Sequence, residues 1–210
     1  LSKISRTRCV VVPATIDKDM PLVGPTIGFD TAINTALSAI DKIRDTATTA
    51  NVTHIVEVMG RNCGWLGILA GIGAGAEVTI IPEVKINISK LSQKIKDQLK
   101  KGKKGCIIIL AEGGFSKGGA SLASALKEEG SFDLRITTLG HMQRGGNPSA
   151  VDRVLATELG VHAVLSLKDG FSNVIIAKPL ATLEKIEFDE ALKTQVKVDM
   201  YLHDIIENTA

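Results

Sequence analysis

The segment Pro13-Ala-Thr-Ile-Asp-Lys-Asp19 places two carboxylates on either side of a lysine, directly after an apolar run. In an extended backbone Asp17 and Asp19 point to the same side, and Thr15 lies on that side as well. Two close carboxylates can share a magnesium ion, or divide into a general base and a metal ligand. A polar turn before Pro21 is the alternative, and the spacing alone does not separate the two interpretations.

A second segment, Glu57-Val-Met-Gly-Arg-Asn-Cys-Gly64, combines glycines with an arginine where a helix is expected to begin. Glycines let a ligand approach the backbone, and Arg61 can hold a phosphate or a carboxylate through two parallel hydrogen bonds. The free N–H groups of a helix N-terminus also attract anions. The alternative is a strand-to-helix turn with an arginine on the surface.

Two further segments carry charged residues after apolar runs. Glu112 ends a very apolar run, where an acid is costly unless it binds a hydroxylated ligand or has a structural partner. His141 and Arg144 precede two glycines and a predicted helix N-terminus, which is a favourable setting for an anion, and Arg135 lies on the strand leading in. The lysines around Gly102 indicate either a solvated helix end or a second anion site.

The elements that must position these residues alternate between apolar β-branched runs and segments of helical period. We predict strands over residues 9–13, 54–59, 77–82, 105–111, 134–139 and 174–177. We predict helices from residue 30 or 31 to 44 and over 64–75, 89–101, 120–129 and 149–167. This order predicts an α/β fold with a mostly parallel sheet, in which ligands bind after the carboxyl ends of the strands.

Composition narrows the class of protein. The 210 residues are 44% hydrophobic and 23% charged, with a formal net charge of +2. These values exclude a disordered chain and argue against a nucleic-acid partner or a basic membrane anchor. No segment approaches the ~20 apolar residues that a membrane span needs. Cys9, Cys63 and Cys106 fit neither a zinc site nor a disulfide framework, so we expect a cytoplasmic location, with Cys9 and Cys106 as buried strand thiols.

The motifs resemble those of the 6-phosphofructokinase family in order and spacing. They are Thr15-Ile-Asp-Lys-Asp19, Thr26-Ile-Gly-Phe-Asp-Thr-Ala32, Glu57-Val-Met-Gly-Arg61 and Leu139-Gly-His-Met-Gln-Arg-Gly-Gly146. The resemblance spans nearly the whole chain and corresponds to roughly the last two-thirds of a bacterial-type subunit, with the N-terminal third missing. It implies two similar three-layer α/β/α, Rossmann-like domains, of which the first is incomplete.

By this resemblance, residues 1–28 and 143–193 are the remainder of the nucleotide or phosphoryl-donor domain. Residues 29–142 and 194–210 would form the fructose 6-phosphate-binding domain, with the substrate in the cleft between the two. The implied reaction belongs to glycolysis and moves a phosphoryl group from MgATP to the 1-hydroxyl of fructose 6-phosphate, giving fructose 1,6-bisphosphate.

The resemblance also implies roles for individual residues. Asp17 would be the general base, Thr15 and Asp19 would assist at the transferring phosphate with Asp19 as a Mg²⁺ ligand, and Arg61 would neutralise transition-state charge. The expected sugar-phosphate residues are Thr15, Asp17, Met59, Gly60, Arg61, Glu112, Arg135, His141 and Arg144. Because the family's counterpart of Arg135 reaches across a subunit interface, we expect a homo-oligomer, specifically a homotetramer. An allosteric nucleotide effector site would contain Arg44, Gly75, Glu77, Lys101, Lys103 and Lys104.

Three positions modify these expectations. Val52 stands where the family usually has an interface arginine, and losing a charge-assisted bond of ~1.5–3 kcal/mol weakens sugar-phosphate binding about ten- to a hundredfold. Lys18 replaces the usual asparagine and is expected to lower the pKa of Asp17. Ala14 replaces the lysine of pyrophosphate-using relatives, which favours ATP. The alternatives are a pyrophosphate-dependent phosphofructokinase and a non-catalytic, sugar-phosphate-binding regulatory subunit.

Overall fold

The computed structural model describes residues 7–209, so predictions for residues 1–6 and 210 lie outside the described residues. The chain forms two compact units. Unit 1 consists of Leu1–Thr31 and Asn147–Lys197, and unit 2 of Ala32–Gly146 and Val198–Ala210. The assignment of a donor domain and a sugar-phosphate domain to the chain stays a prediction.

Strands and helices alternate through most of the described chain. The strands are β1 (Val10–Val11), β2 (Thr53–Val58), β3 (Val78–Ile80), β4 (Ile107–Ala111), β5 (Leu134–Thr138), β6 (Val174–Ala177) and β7 (Glu184–Glu187). The helices are α1 (Phe29–Ala50), α2 (Trp65–Ala74), α3 (Ile88–Lys100), α4 (Gly118–Glu129), α5 (Ala150–Lys168), α6 (Phe188–Lys193) and α7 (Met200–Thr209). A 3-10 helix covers Gly140–Arg144. Within residues 7–209, no helix combines the length and the apolar character needed to cross a membrane.

Unit 2 contains a four-stranded, fully parallel sheet in the order β3-β4-β2-β5. Alternate residues of these strands pack against Leu91 and Ile95 of α3 and Leu122 of α4. On the other face α2 comes close because it is rich in small residues; a Cβ on Gly67 would lie 2.9 Å from the Cβ of Ala111. The sheet is therefore covered on both faces, as the apolar strands predicted.

Unit 1 contains a smaller sheet in the order β1-β6-β7. β1 runs parallel to β6, and β7 runs antiparallel to it. Val174 and Ile176 of β6 pack against α5, and the alternate residue Ile175 packs in a second cluster with Val23 and Ala191. The α/β class with a mostly parallel sheet is thus confirmed, with one antiparallel edge strand added.

Several predicted details were wrong. The predicted strand over 9–13 shrinks to two paired residues, and Cys9 is half-buried ahead of that strand, whereas Cys106 is buried as expected. Helix α1 continues past the expected end at Arg44 because no Gly or Pro interrupts it and Ala47 is buried. Leu99, expected on the buried side of α3, is 36% exposed. β7 has the sequence Glu-Lys-Ile-Glu, and a single buried isoleucine provides no detectable strand pattern.

Candidate active site

The hydroxyl of Thr15 connects both aspartates of residues 13–19, which we call the base segment. It donates a hydrogen bond of 3.0 Å to Oδ1 of Asp19 and accepts one of 3.1 Å from the backbone N–H of Asp17. Asp17 is only 3% exposed, whereas Asp19 is exposed to solvent. The structure therefore brings the three residues together and gives the two carboxylates different surroundings, which suits a division between proton transfer and ion binding.

The base segment is attached to the residues just before α1. The hydroxyl of Thr26 donates a hydrogen bond of 2.6 Å to the carbonyl of Thr15, and the N–H of Ile27 donates one of 3.0 Å to the carbonyl of Pro13. Thr26 is 1% exposed, so water does not compete strongly for this bond. The position of the segment thus depends on residues 26 and 27.

Lys18, between the two aspartates, has the left-handed backbone angle φ of 51°. Its ammonium lies 5.3 Å from the centroid of the Phe29 ring, within the range of a cation–π contact. Phe29 is the first residue of α1, so this contact also links the segment to the start of that helix. The expected lowering of the pKa of Asp17 by Lys18 stays a prediction.

In unit 2, the loops that follow β2, β4 and β5 leave the sheet side by side, because β2 lies between the other two strands. Hydrogen bonds continue the ladder into these loops. The N–H of Glu112 donates to the carbonyl of Val58 at 2.9 Å, and the N–H of Leu139 donates to the carbonyl of Glu57 at 3.0 Å. Met59, Glu112 and the segment beginning at Leu139 are thereby placed at one edge of the sheet.

The turn that presents Arg61 needs unusual backbone conformations. Gly60 has φ of 144°, and a Cβ there would lie 2.6 Å from the carbonyl oxygen of Cys63. Arg61 itself is left-handed, with φ of 54°, and its N–H donates a hydrogen bond of 3.0 Å to Oε2 of Glu112. Gly113 must also be glycine, because a Cβ there would lie 2.6 Å from the carbonyl oxygen of Arg61. The predicted site residues Gly60, Arg61 and Glu112 therefore lie together around this turn.

His141 and Arg144 lie in the 3-10 helix, and both are exposed. Side chains three residues apart eclipse in a 3-10 helix, so the two side chains project from the same side. Between them Gln143 is fully buried and donates from Nε2 to the carbonyl of Gly140 at 3.2 Å. The buried glutamine anchors the turn that presents the imidazole and the guanidinium for an anion.

Arg135 lies on β5, an edge strand of the sheet, and is exposed. Its Nε atom is 3.8 Å from Oδ1 of Asp133, which is also exposed, so this ion pair adds little stability. The register partner of Arg135 on β2 is His54, whose Nε2 lies 2.8 Å from the hydroxyl of Thr137. Burial, and then the charge of Arg135, lower the pKa of His54. The role of Arg135 across an interface stays a prediction.

Val52, in place of an expected arginine, is 4% exposed, and its N–H donates to the carbonyl of Ala47 at 3.1 Å. Its side chain is part of the core of unit 2. The predicted loss in sugar-phosphate affinity stays a prediction.

Four of the six predicted effector residues form one cluster around Glu77. Its Oε2 accepts a hydrogen bond of 2.7 Å from the N–H of Ile107. Its Oε1 lies 3.2 Å from Nζ of Lys103 and 3.6 Å from Nη1 of Arg44. Arg44 also donates to the carbonyl of Gly75 at 2.8 Å. The other two predicted residues, Lys101 and Lys104, are exposed. The cluster links α1, the end of α2, the loop after α3 and the starts of β3 and β4, and its effector role stays a prediction.

Sequence analysis did not single out Asp152, which is 2% exposed in unit 1. Its carboxylate accepts hydrogen bonds of 2.8 Å from the N–H groups of Gly28 and Thr31, at the start of α1. The hydroxyl of Thr31 donates to it as well. The pattern Ser149-Ala-Val-Asp152 resembles a helix capping box and was the available signal.

Magnesium is compatible with the exposed carboxylate of Asp19. Proteins hold this ion through one or two carboxylates and leave its other positions to water and substrate phosphates. Among residues 7–209, no group of three or more His, Cys, Asp or Glu side chains is arranged to hold a metal ion by itself. The base segment therefore suits an ion shared with a phosphate ligand.

Comparison with known proteins identifies the family. The phosphofructokinase family model matches residues 1–167. The chain is 45% identical over 205 residues to the ATP-dependent 6-phosphofructokinase of Clostridium novyi, covering 98% of this chain and 63% of that protein. It is 45% identical over 195 residues to the enzyme of that name from Clostridioides difficile, covering 92% of this chain and 60% of that protein. The chain thus spans about 60% of the length of these relatives.

Solved structures agree with this assignment. The phosphofructokinase of Saccharomyces cerevisiae superposes with a TM-score of 0.80 at 34% identity, covering 89% of this chain and 26% of that one. The chain therefore belongs to the phosphofructokinase family.

Proposed function

We propose that this chain provides the general base and the sugar-phosphate residues of an ATP-dependent 6-phosphofructokinase. The observation that carries the proposal is the pairing of a buried Asp17 with an exposed Asp19 through the hydroxyl of Thr15. The ATP-dependent 6-phosphofructokinases that are 42–45% identical to the chain support it.

In the proposed reaction, Asp17 takes the proton from the 1-hydroxyl of fructose 6-phosphate as that oxygen bonds to the γ-phosphorus of ATP. The bond between this phosphorus and the β–γ bridging oxygen breaks, and ADP leaves with the electron pair. Asp19 would hold Mg²⁺, which supplies positive charge to the donor phosphates when it is bound. Arg61 neutralises charge that develops on the transferring group.

The sugar phosphate would be held by residues of unit 2. His141 and Arg144 project from one side of the 3-10 helix and suit the 6-phosphate, while Glu112 accepts from sugar hydroxyls. Met59 and Gly60 would line the same sugar-phosphate site. Arg135 would serve the site of a neighbouring subunit, which requires a homo-oligomer, and we propose a tetramer.

ATP is the proposed donor because Ala14, next to the base segment, is small, neutral and exposed. A lysine at this position would add charge for a short pyrophosphate and bulk against a nucleotide. The printed names of the relatives favour the same donor.

The test is titration calorimetry of the chain with fructose 6-phosphate, together with a coupled rate assay of the whole enzyme to which the chain would contribute these residues, comparing ATP with pyrophosphate. We expect binding that His141→Ala and Arg144→Ala weaken, and turnover with ATP that Asp17→Ala lowers by ~10²–10⁴-fold. Asp189→Ala is the matched control, since Asp189 is an exposed aspartate of unit 1 outside the base segment. No binding of fructose 6-phosphate contradicts the proposal, and turnover with pyrophosphate alone contradicts the donor.

A further inference from the structure

The amino-terminal ends of α1 and α5 are joined by Thr31, Ser149 and Asp152, which we call the cap cluster. The hydroxyl of Thr31 donates to Oδ2 of Asp152 and accepts a hydrogen bond of 3.0 Å from the N–H of Ser149. The hydroxyl of Ser149 accepts one of 3.2 Å from the N–H of Asp152. Asp152 of α5 therefore caps the start of α1, and the hydroxyls of Thr31 and Ser149 accept hydrogen bonds at the start of α5.

Both carboxylate oxygens of Asp152 are used to fix the start of α1. Oδ1 accepts from the N–H of Gly28 at 2.8 Å, and Oδ2 accepts from the N–H of Thr31 at 2.8 Å. N–H groups in the first turn of a helix have no intrahelical partner, and a negative charge there is favoured by the helix dipole. Since Asp152 is 2% exposed, water cannot readily replace these bonds.

The residues that the cap cluster fixes are continuous with those that hold the base segment. Thr26 and Ile27, immediately before Gly28, bond to the carbonyls of Thr15 and Pro13 at 2.6 and 3.0 Å. Thr15 in turn accepts from the N–H of Asp17. Hydrogen bonds at both ends, joined by the backbone of residues 26–28, thus connect Asp152 to the residues around Asp17 within unit 1.

A second connection runs through Phe29, the residue between Gly28 and Asp30. Its ring lies 5.3 Å from the ammonium of Lys18, inside the base segment. Fixing the first turn of α1 therefore also fixes the Phe29 ring that Lys18 contacts.

We propose that Asp152 is a positioning residue that, through Thr31 and the first turn of α1, holds Asp17 in place for proton transfer. Loss of the cap cluster lowers kcat while leaving fructose 6-phosphate binding nearly unchanged, because the principal sugar-phosphate residues belong to unit 2. The kinetic part of this inference rests on the proposed function. The mobility of the base segment can be measured without turnover.

The experiment compares Thr31→Val, which removes the hydroxyl from the cluster with little change in shape, with Thr31→Ser, which keeps it. Thr194→Val is the matched control, because the Thr194 hydroxyl bonds to the carbonyl of Glu190 in unit 1 away from the base segment. Amide hydrogen exchange of residues 15–19 and 26–28 is measured in each protein. The kcat and the Kd for fructose 6-phosphate are measured in parallel.

We expect Thr31→Val to speed exchange in the base segment about tenfold or more and to lower kcat by a similar factor, with the Kd changed less than about twofold. Thr31→Ser and Thr194→Val should match the original chain. Asp152→Asn should speed exchange and lower kcat more than Thr31→Val does, because its side chain presents an amide NH₂ donor to the backbone N–H groups. If Asp152→Asn does not fold, the valine and serine variants still decide the question.

Unchanged exchange at residues 15–19 in Thr31→Val overturns the proposal. So does a fall in kcat that Thr31→Ser shares, or a weakening of fructose 6-phosphate binding equal to the fall in kcat. If the original chain neither binds fructose 6-phosphate nor turns over, the proposed function fails. The exchange rates then still show whether the cap cluster holds the base segment.

Discussion

The backbone N–H of Arg61 donates a hydrogen bond of 3.0 Å to Oε2 of Glu112, between the loops that follow β2 and β4. The sequence left two uses open for an acid at the end of such an apolar strand, a ligand or a structural partner. The bond shows that Glu112 has a structural partner. It also supports the left-handed backbone of Arg61, so one carboxylate stabilises the turn that presents a predicted phosphate-binding side chain.

We therefore predict that Glu112→Ala weakens fructose 6-phosphate binding by about tenfold or more, since it removes both the acceptor proposed for the sugar hydroxyls and the charge-assisted bond to the N–H of Arg61. Glu112→Gln keeps an acceptor oxygen and should have a smaller effect. Calorimetric titration of both variants measures this. Equal losses in the two variants would show that the negative charge, and not the hydrogen bond to Arg61, is what matters.

Glu77 should be critical for the stability of unit 2, because its carboxylate is 5% exposed and partners the N–H of Ile107, Lys103 and Arg44. Glu77→Ala leaves the buried N–H of Ile107 without its acceptor, whereas Lys103 and Arg44 remain solvated, and we expect the free energy of unfolding to fall by about 1–3 kcal/mol. Urea denaturation measures the change.

The matched comparison for Glu77 is Lys103→Ala, because the side chain of Lys103 is 39% exposed. We expect a loss of only about 0–1 kcal/mol there. Equal losses for Glu77→Ala and Lys103→Ala would contradict the inference that the buried acceptor, and not the ion pair, carries the stability.

Acidification should destabilise the chain through His54. Burial, followed by the charge of Arg135, holds the pKa of His54 below its ordinary value of 6.5. The unfolded chain then binds the proton more readily than the folded one, so the stabilising contribution is present above pH 6.5 and is lost as the pH falls through the folded pKa. Urea denaturation at pH 7.5 and at lower pH, with His54→Gln as the comparison, measures this contribution. Identical pH slopes in the two proteins would show that His54 does not contribute.

Alkaline conditions should act through Cys106. Burial, and next the nearby charge of Glu77, raise the pKa of its thiol from 9.0 to about 11. The folded state therefore retains the proton longer than the unfolded state, and the free energy of unfolding falls as the pH rises from 9.0 towards about 11. Comparison with Cys106→Ala isolates this contribution, and labelling of the Cys106 thiol at pH 8, located by mass spectrometry, should be slow until the chain unfolds. Rapid labelling of Cys106 in the folded chain would contradict the raised pKa.

The class of the fold and most of its elements could be predicted from the sequence, because hydrophobic periodicity is a local property. Helices α2, α3 and α5 lie close to their predicted bounds, and so do strands β2 and β6. β7 could not be predicted, since three of its four residues are charged and only pairing with β6 makes it a strand. The motifs also indicated the family, which the comparisons confirmed.

The sequence by itself determined which residues could do chemistry: the aspartates of the base segment, Arg61, Glu112, His141 and Arg144. Tertiary structure decided which of them share partners. Strand order placed Glu112 beside the turn of Arg61, although 51 positions separate them, and the packing of α5 brought Asp152 to the start of α1 from 121 positions away. The physical reason is that a carboxylate pairs with the N–H donors within its reach, as it must where it is buried like Asp152, and which donors it meets depends on how distant elements pack rather than on spacing along the chain.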